Sequence, residues 1–207
     1  MWRLRGTFAI LMCASAGMAG PLAPCIRAVG SPSGDFLVIT DAEFSHPLPA
    51  MAERVTLRVI GKETFVNDPN YKVGSPNTYW SSDGWSVVLR KGDSFMSSCP
   101  MSLISDNGVF LILLQGYGFD SALRIYRRPE QGHNGVLVRD VALSEIWPEH
   151  EWRNQPATVM DGNSPQWFAG GTFEFSSDSR VLIHKTRWGN VVHLHLSDGV
   201  VSPWQQR

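Results

Sequence analysis

The sequence predicts a mainly β fold, built from short antiparallel strands and hairpins with very little helix. Three observations carry that prediction. Eight apolar runs of four to six residues, rich in Val, Ile, Leu and Phe, are each bounded by Gly, Pro, Asn, Asp or Ser, the pattern of strands separated by turns. Helical periodicity is nearly absent along the chain. A turn of the form Ser, two turn formers, then Gly or Ser recurs ahead of several runs.

In chain order, the N-terminus comes first. MWRLRGTFAILMCASAGMAG opens with Arg3 and Arg5, continues through an apolar run from Phe8 to Cys13, and ends in small residues. Ala14 and Ala16, or Gly17 and Ala19, have the −3 and −1 spacing of a signal-peptidase cut. This layout reads as a secretory signal peptide over residues 1–19, its apolar stretch too short to span a bilayer. Residues 20–207 then form a single mainly β domain, long enough for one sizeable core. The expected location is exported, either periplasmic or secreted. No later stretch approaches the ~20 apolar residues of a membrane span. The formal net charge of −1, with both signs mixed along the chain, offers no basic patch for nucleic acid.

Two cysteines follow the signal, Cys25 and Cys99. An oxidising compartment preserves disulfides, which makes the pair a candidate bridge. It would close a loop of about 75 residues and stabilise the fold by ~4 kcal/mol on the loop-entropy model. Bridging also requires the two Cα atoms within about 7 Å, which spacing alone does not establish, so a pair of free thiols is the other reading.

The strands are expected at FLVIT (36–40), VTLRVI (55–60), WSVVLR (85–90), VFLILL (109–114), LRIY (123–126), VLVRDV (136–141), RVLIH (180–184) and VVHLHL (191–196). PAMAERV (49–55) and ALSEIW (142–147) each read as a turn or two of helix, with Pro148 as a stop after the second. The recurring turn appears in SPSGDFLVI, SSDGWSVVL, SDNGVFLIL and SSDSRVLIH, starting at 31, 81, 105 and 176, at intervals of 50, 24 and 71 residues. In each copy a turn launches a strand: Asn or Asp side chains bond nearby backbone, and Gly accepts positive φ.

This pattern resembles the SPDG-type turns of TolB-like and WD40-like β-propeller repeats, and GNVVHLHLSDGVV (189–201) looks like their next strand. The stretch 104–147 is similar to a group of uncharacterised exported bacterial proteins, in which an S-D-D-G strand leads to a G-Y-G-D segment, a strand ending in Tyr and a short helix. Ser105, Asp106, Gly108, Gly116, Tyr117, Gly118, Asp120, Tyr126 and Leu143 fit that pattern, and Phe119 interrupts the G-Y-G-D. The resemblance implies a fold and no activity, so no functional residue is carried over. Since the intervals are uneven against the ~40–45 residues of regular blades, the expected architecture is a partial or irregular β-propeller-like arrangement.

Chemistry concentrates in RVLIHKTRWGNVVHLHLSDG, which holds His184, His193 and His195. With Gly189-Asn190 as a two-residue turn, Thr186 faces His193 and His184 faces His195. Val181, Ile183, Val192, Leu194 and Leu196 then form the core face, and the three histidines share the other. Opposed Cβ atoms lie ~5 Å apart, so the imidazoles can hold a zinc ion with its fourth position open to water. Polar decoration of a solvated sheet face is the bland alternative, and a turn over Trp188-Gly189-Asn190 breaks the opposition.

KGDSF (91–95) superficially resembles the nucleophile block of GDS-type esterases, but no helix follows and no late Asp-x-x-His occurs, so Ser94 reads as a loop serine. The loops 67–80 and 153–171 carry Tyr79, Trp80, Trp167 and Phe168. These aromatics either stack on a ligand such as a sugar or plug the sheet ends as core. The expected function is a binding or interaction module with no catalytic activity, taking a protein or glycan partner. The alternatives are a metal-binding protein or metal-dependent hydrolase at the histidine hairpin, and a carbohydrate-binding module at the aromatic loops.

Overall fold

The computed structural model of the protein describes residues 27–44, 52–61, 84–95, 100–115, 121–147, 160–161, 164–165, 167–168, 171–186 and 189–202. All eight apolar runs become strands. The first sheet is an antiparallel meander of β1 (Arg27–Gly30), β2 (Phe36–Phe44), β3 (Ala52–Gly61) and β4 (Trp85–Arg90). The second repeats the plan with β5 (Met101–Ile104), β6 (Phe110–Leu114), β7 (Leu123–Arg127) and β8 (Val136–Val141), followed by helix α1 (Leu143–Ile146). A two-residue ladder of β9 (Met160–Asp161) and β10 (Ser164–Pro165) precedes the third sheet, β11 (Thr172–Phe175), β12 (Val181–Lys185) and β13 (Val191–His195). After β13 the chain turns back and Val201 bridges antiparallel to Leu194.

Two expectations about local structure part ways here. ALSEIW does form the short helix, with Glu145 Oε1 accepting the Ala142 N–H at 3.1 Å. AERV of PAMAERV instead opens β3, because Val55, Leu57 and Val59 alternate onto the core and tertiary burial overrides the local helix signal. Residues 1–19, expected as a signal peptide, and Cys25, Cys99, Tyr79, Trp80, the Gly116–Asp120 segment and Pro148 lie outside the described residues.

The recurring serine turn is one structure used three times. Ser31 donates its N–H to Phe36 O at 2.9 Å, accepts the Gly34 N–H at its carbonyl at 2.9 Å, and accepts the Phe36 N–H at Oγ at 3.2 Å. Ser105 makes the same three bonds with Phe110 and Gly108 at 3.0, 2.9 and 2.9 Å. Ser176 makes them with Val181 and Ser179 at 2.9, 2.8 and 2.9 Å. In each case the serine closes the hairpin between the first two strands of a sheet. The fourth residue is left-handed every time, with φ of 77° at Gly34, 66° at Gly108 and 57° at Ser179. The equivalent turns begin at 31, 105 and 176, intervals of 74 and 71 residues. The copy at 81 precedes β4, a different strand of its sheet. Counting it among the others is what made the spacing look irregular.

The three sheets stack face to face, and β6 shows how. Successive side chains of a strand point to opposite faces, and all five residues of β6 are buried. Leu111 and Leu113 pack with Val38, Leu57, Trp85 and Leu89 of the first sheet. Phe110, Ile112 and Leu114 turn the other way, onto a core shared with Leu182, Val192, Leu194 and Leu196 of the third. This is why VFLILL carries no polar alternation: both faces are interior. Each such side chain is worth about 1.5–3 kcal/mol of burial.

Polar contacts lock the stack at its rims. Trp85 of β4 donates Nε1–H to Gly108 O of the second sheet's turn at 3.0 Å, and Asp106 Oδ1 accepts the Ser33 N–H at 2.6 Å. The loop between β7 and β8 reaches back to β4, where Ser86 N–H donates to His133 O at 2.7 Å and Gly135 N–H to Ser86 O at 2.8 Å. A Cβ at Gly135 would sit 2.6 Å from the Trp85 ring, so only glycine permits this approach. The turn after β13 does the same one sheet on, with Arg139 Nη1 donating to Gly199 O at 2.9 Å.

Candidate functional site

The histidine hairpin has a different register from the one its Gly-Asn pair suggests. Lys185 pairs with Val191, Ile183 with His193 and Val181 with His195, so His184 faces Val192. The loop therefore spans residues 186–190, closed by Thr186 N–H to Asn190 O at 2.8 Å and Asn190 N–H to Thr186 Oγ1 at 3.1 Å. Relative to a Gly-Asn turn, the strands slide by three residues, and an odd shift moves every side chain of β12 to the opposite face. His184 goes to the core with Leu182, while Ile183 joins His193 and His195 outside. The expected three-histidine zinc site is thus not assembled: two imidazoles are exposed and the third is 4 % exposed on the other side of the sheet. Among the described residues no three metal-ligating side chains gather.

His184 sits in an aromatic cage. It stacks on Phe173 at 4.4 Å between centroids and meets Trp167 edge-on at 5.3 Å. Its Nδ1 lies 3.2 Å from Thr172 O. A carbonyl only accepts, so Nδ1 carries the proton. Burial pushes the imidazole below the ordinary histidine range, against smaller opposing contributions from the backbone of Thr172 and Trp167. It is a neutral, hydrogen-bonded core residue.

Trp167 and Phe168, expected as loop aromatics facing a ligand or the core, belong to the core at 2 % and 8 % exposure. Their rings meet edge-on at 5.4 Å, and Trp167 Nε1 donates to Gln115 O at 3.0 Å. Trp167 lines the recess between α1 and the third sheet, whose walls include Leu123, Ile146, Phe173 and Val192. Neither ring offers a face to a sugar.

A charged cluster escaped sequence reasoning altogether. Arg124 Nε donates to Asp140 Oδ2 at 2.7 Å, its Nη1 donates to Asp93 Oδ1 at 2.6 Å, and its guanidinium lies 4.5 Å over the Phe95 ring. Ser121 Oγ donates to the other oxygen of Asp140. Burial works against the guanidinium charge, but the Asp140 hydrogen bond and the Asp93 and Asp140 charges prevail and hold its pKa above the ordinary value. Asp93 of KGDSF is therefore a clamp between the first two sheets, and the motif's Ser94 is exposed beside it. No local signal marks this set, since Asp93 and Asp140 lie 31 and 16 residues from Arg124.

The surface left over is the outer face of the third sheet. Opposed residues share a face, so it presents Thr172, Glu174, Val181, Ile183, Lys185, Val191, His193 and His195. Val181, Ile183 and Val191 are half-buried and the five others exposed. Val181 and Ile183 join neither hydrophobic core. At the opposite end of the stack the outer face of the first sheet mixes buried Thr56 and Ile60 with half-buried Leu37, Ile39 and Val88 and exposed Glu43, Arg54 and Arg90. No protein-family model matches the chain, and no curated protein matches it either.

Proposed function

We propose that this chain is an exported, non-catalytic interaction module, whose three sheets are blades of a partial propeller-like stack resembling TolB-like and WD40-like repeats. The repeat reading is supported by the common serine turn at 74- and 71-residue intervals and by the loop that reaches back from each sheet to its predecessor. The function rests on one observation: the outer face of the third sheet carries half-buried Val181, Ile183 and Val191, and among the described residues no other sheet packs on it. Stacked sheets bury their facing sides, and the third sheet presents a half-apolar side of the kind the second buries against each neighbour. Of the features that suggested hydrolysis or sugar binding, His184, Trp167 and Phe168 serve the core, and His193 and His195 decorate this face.

The test uses immobilised protein at nanomolar density against the exported fraction of its source, beside an Ile183→Arg variant of equal melting temperature. A partner retained by the first and lost by the second is the expected result. Equal retention by both, or none by either, rejects the face as the binding surface for a different protein.

A further inference from the structure

The open face has a pattern along its rows that says what can cover it. Glu174 of β11 stands opposite Ile183 of β12, which stands opposite His193 of β13. One register row thus reads acid, apolar, imidazole. The next row on the same face places Val181 beside His195. Val181 and Ile183 occupy the middle strand with Lys185, Val191 lies on β13, and the acid and the imidazoles are segregated to opposite outer strands.

Such a row is self-complementary under one symmetry operation. A two-fold axis running along β12, in the plane between two facing sheets, lays β11 of each copy over β13 of the other. Ile183 then meets Ile183, Val181 meets Val181, and Glu174 of each copy meets His193 of its partner, whose imidazole N–H can donate to the carboxylate. A two-fold across the strands would instead stack Glu174 on Glu174. Facing sheets lie ~10 Å apart, a gap that a glutamate and a histidine span between them. Lys185 also lies near the axis, but its ammonium is drawn aside onto Glu174 Oε2 at 2.9 Å, and both side chains are about half exposed.

We infer that the third sheet's outer face is an isologous interface that pairs with a second copy of this chain, Glu174 against His193. The inference rests on the reading of this face as a binding surface and names its occupant. Three strands of four or five residues present roughly 14 Å by 17 Å at most, about a third of the ~800 Å² per partner of a standard interface. The dimer is therefore weak.

Sedimentation equilibrium of the purified protein from about 1 µM to about 1 mM reads this directly. The expected result is a monomer–dimer equilibrium. Glu174→Lys and His193→Glu each weaken it at least ~10-fold, by losing the pair or setting like charges face to face. The double variant Glu174→Lys/His193→Glu recovers the dimer to within ~3-fold, because the pair is restored with reversed sense. All substitutions are at exposed positions, and melting temperatures confirm that each variant is folded. A monomer at every concentration, a dimer indifferent to the single changes, or a double variant no better than the singles overturns the proposal. A monomer throughout overturns self-association alone, since the nanomolar binding test still decides whether the face takes another partner.

Discussion

β6 and β12 begin from the same local instruction and end in different environments. Each is the second strand of its sheet, and each is launched by a serine that bonds its first residue through N–H and hydroxyl and the turn's fourth residue through its carbonyl. Yet β6 is buried at all five positions, while β12 alternates half-buried and buried before an exposed Lys185. The turn sets where a strand starts; its neighbours in the stack set how many of its faces are interior. The middle sheet has a neighbour on each side, whereas the described residues cover only one side of the third.

The sharpest way to break that comparison is to remove the same kind of atoms from both strands. Leu113 is 0 % exposed, so Leu113→Ala should cost about 3 kcal/mol by lost transfer and residual cavity. Ile183→Ala, on the open face, should cost less than about 1 kcal/mol. Urea unfolding of both variants gives the two numbers. Near-equal losses would mean that Ile183 is as enclosed in solution as Leu113.

A medium effect separates the two faces of β12 by pH. The unfolded His184 imidazole protonates near 6.5, and its folded pKa lies below that. Between the two values the unfolded state binds more protons, so stability rises with pH there. As pH falls below about 6.5, His184 should therefore remove up to ~1.4 kcal/mol per pH unit, until the folded group itself titrates. Above 6.5 it contributes no slope. His184→Phe should flatten this part of the profile relative to the native chain, measured as the difference in unfolding free energy between pH 7.5 and 5.5. An unchanged slope would show that His184 is not the buried group responsible.

The smallest effect belongs to the turns. Gly34 and Gly108 hold the left-handed position in two of them and Ser179 in the third, at φ 57°. Ser179→Gly should stabilise by about 0.5 kcal/mol, the relief of a strained φ less the added entropy of the unfolded chain. Gly108→Ala should destabilise far more, because its Cβ would lie 2.4 Å from the Phe36 ring. Thermal unfolding resolves both signs, and a loss of stability in Ser179→Gly would mean that the serine hydroxyl matters more than its backbone.

Most strands were legible because their information is local. WSVVLR and VLVRDV match β4 and β8 residue for residue. The strands that escaped are too short to show a period: β1, β5 and β11 have four residues each and include Arg, Gly, Ser or Glu, and β9 and β10 have two. The candidate site was less legible. Gly189-Asn190 is a sound two-residue turn signal, but Thr186 captures Asn190 through backbone and hydroxyl and lengthens the loop to five residues. A single such choice fixes the face of every residue in β12.

Sequence by itself determined that this is a β protein of short strands, because turn formers and apolar runs act within a few residues of one another. It likewise determined the serine hairpin, whose bonds all close within five residues. Tertiary structure decided which strand faces are interior, which of three histidines is buried, and that Asp93, Arg124 and Asp140 meet. Those outcomes depend on strand register and on contacts that span from 16 to 73 residues of chain, where the packing of one sheet on the next selects among hairpins that are locally equivalent.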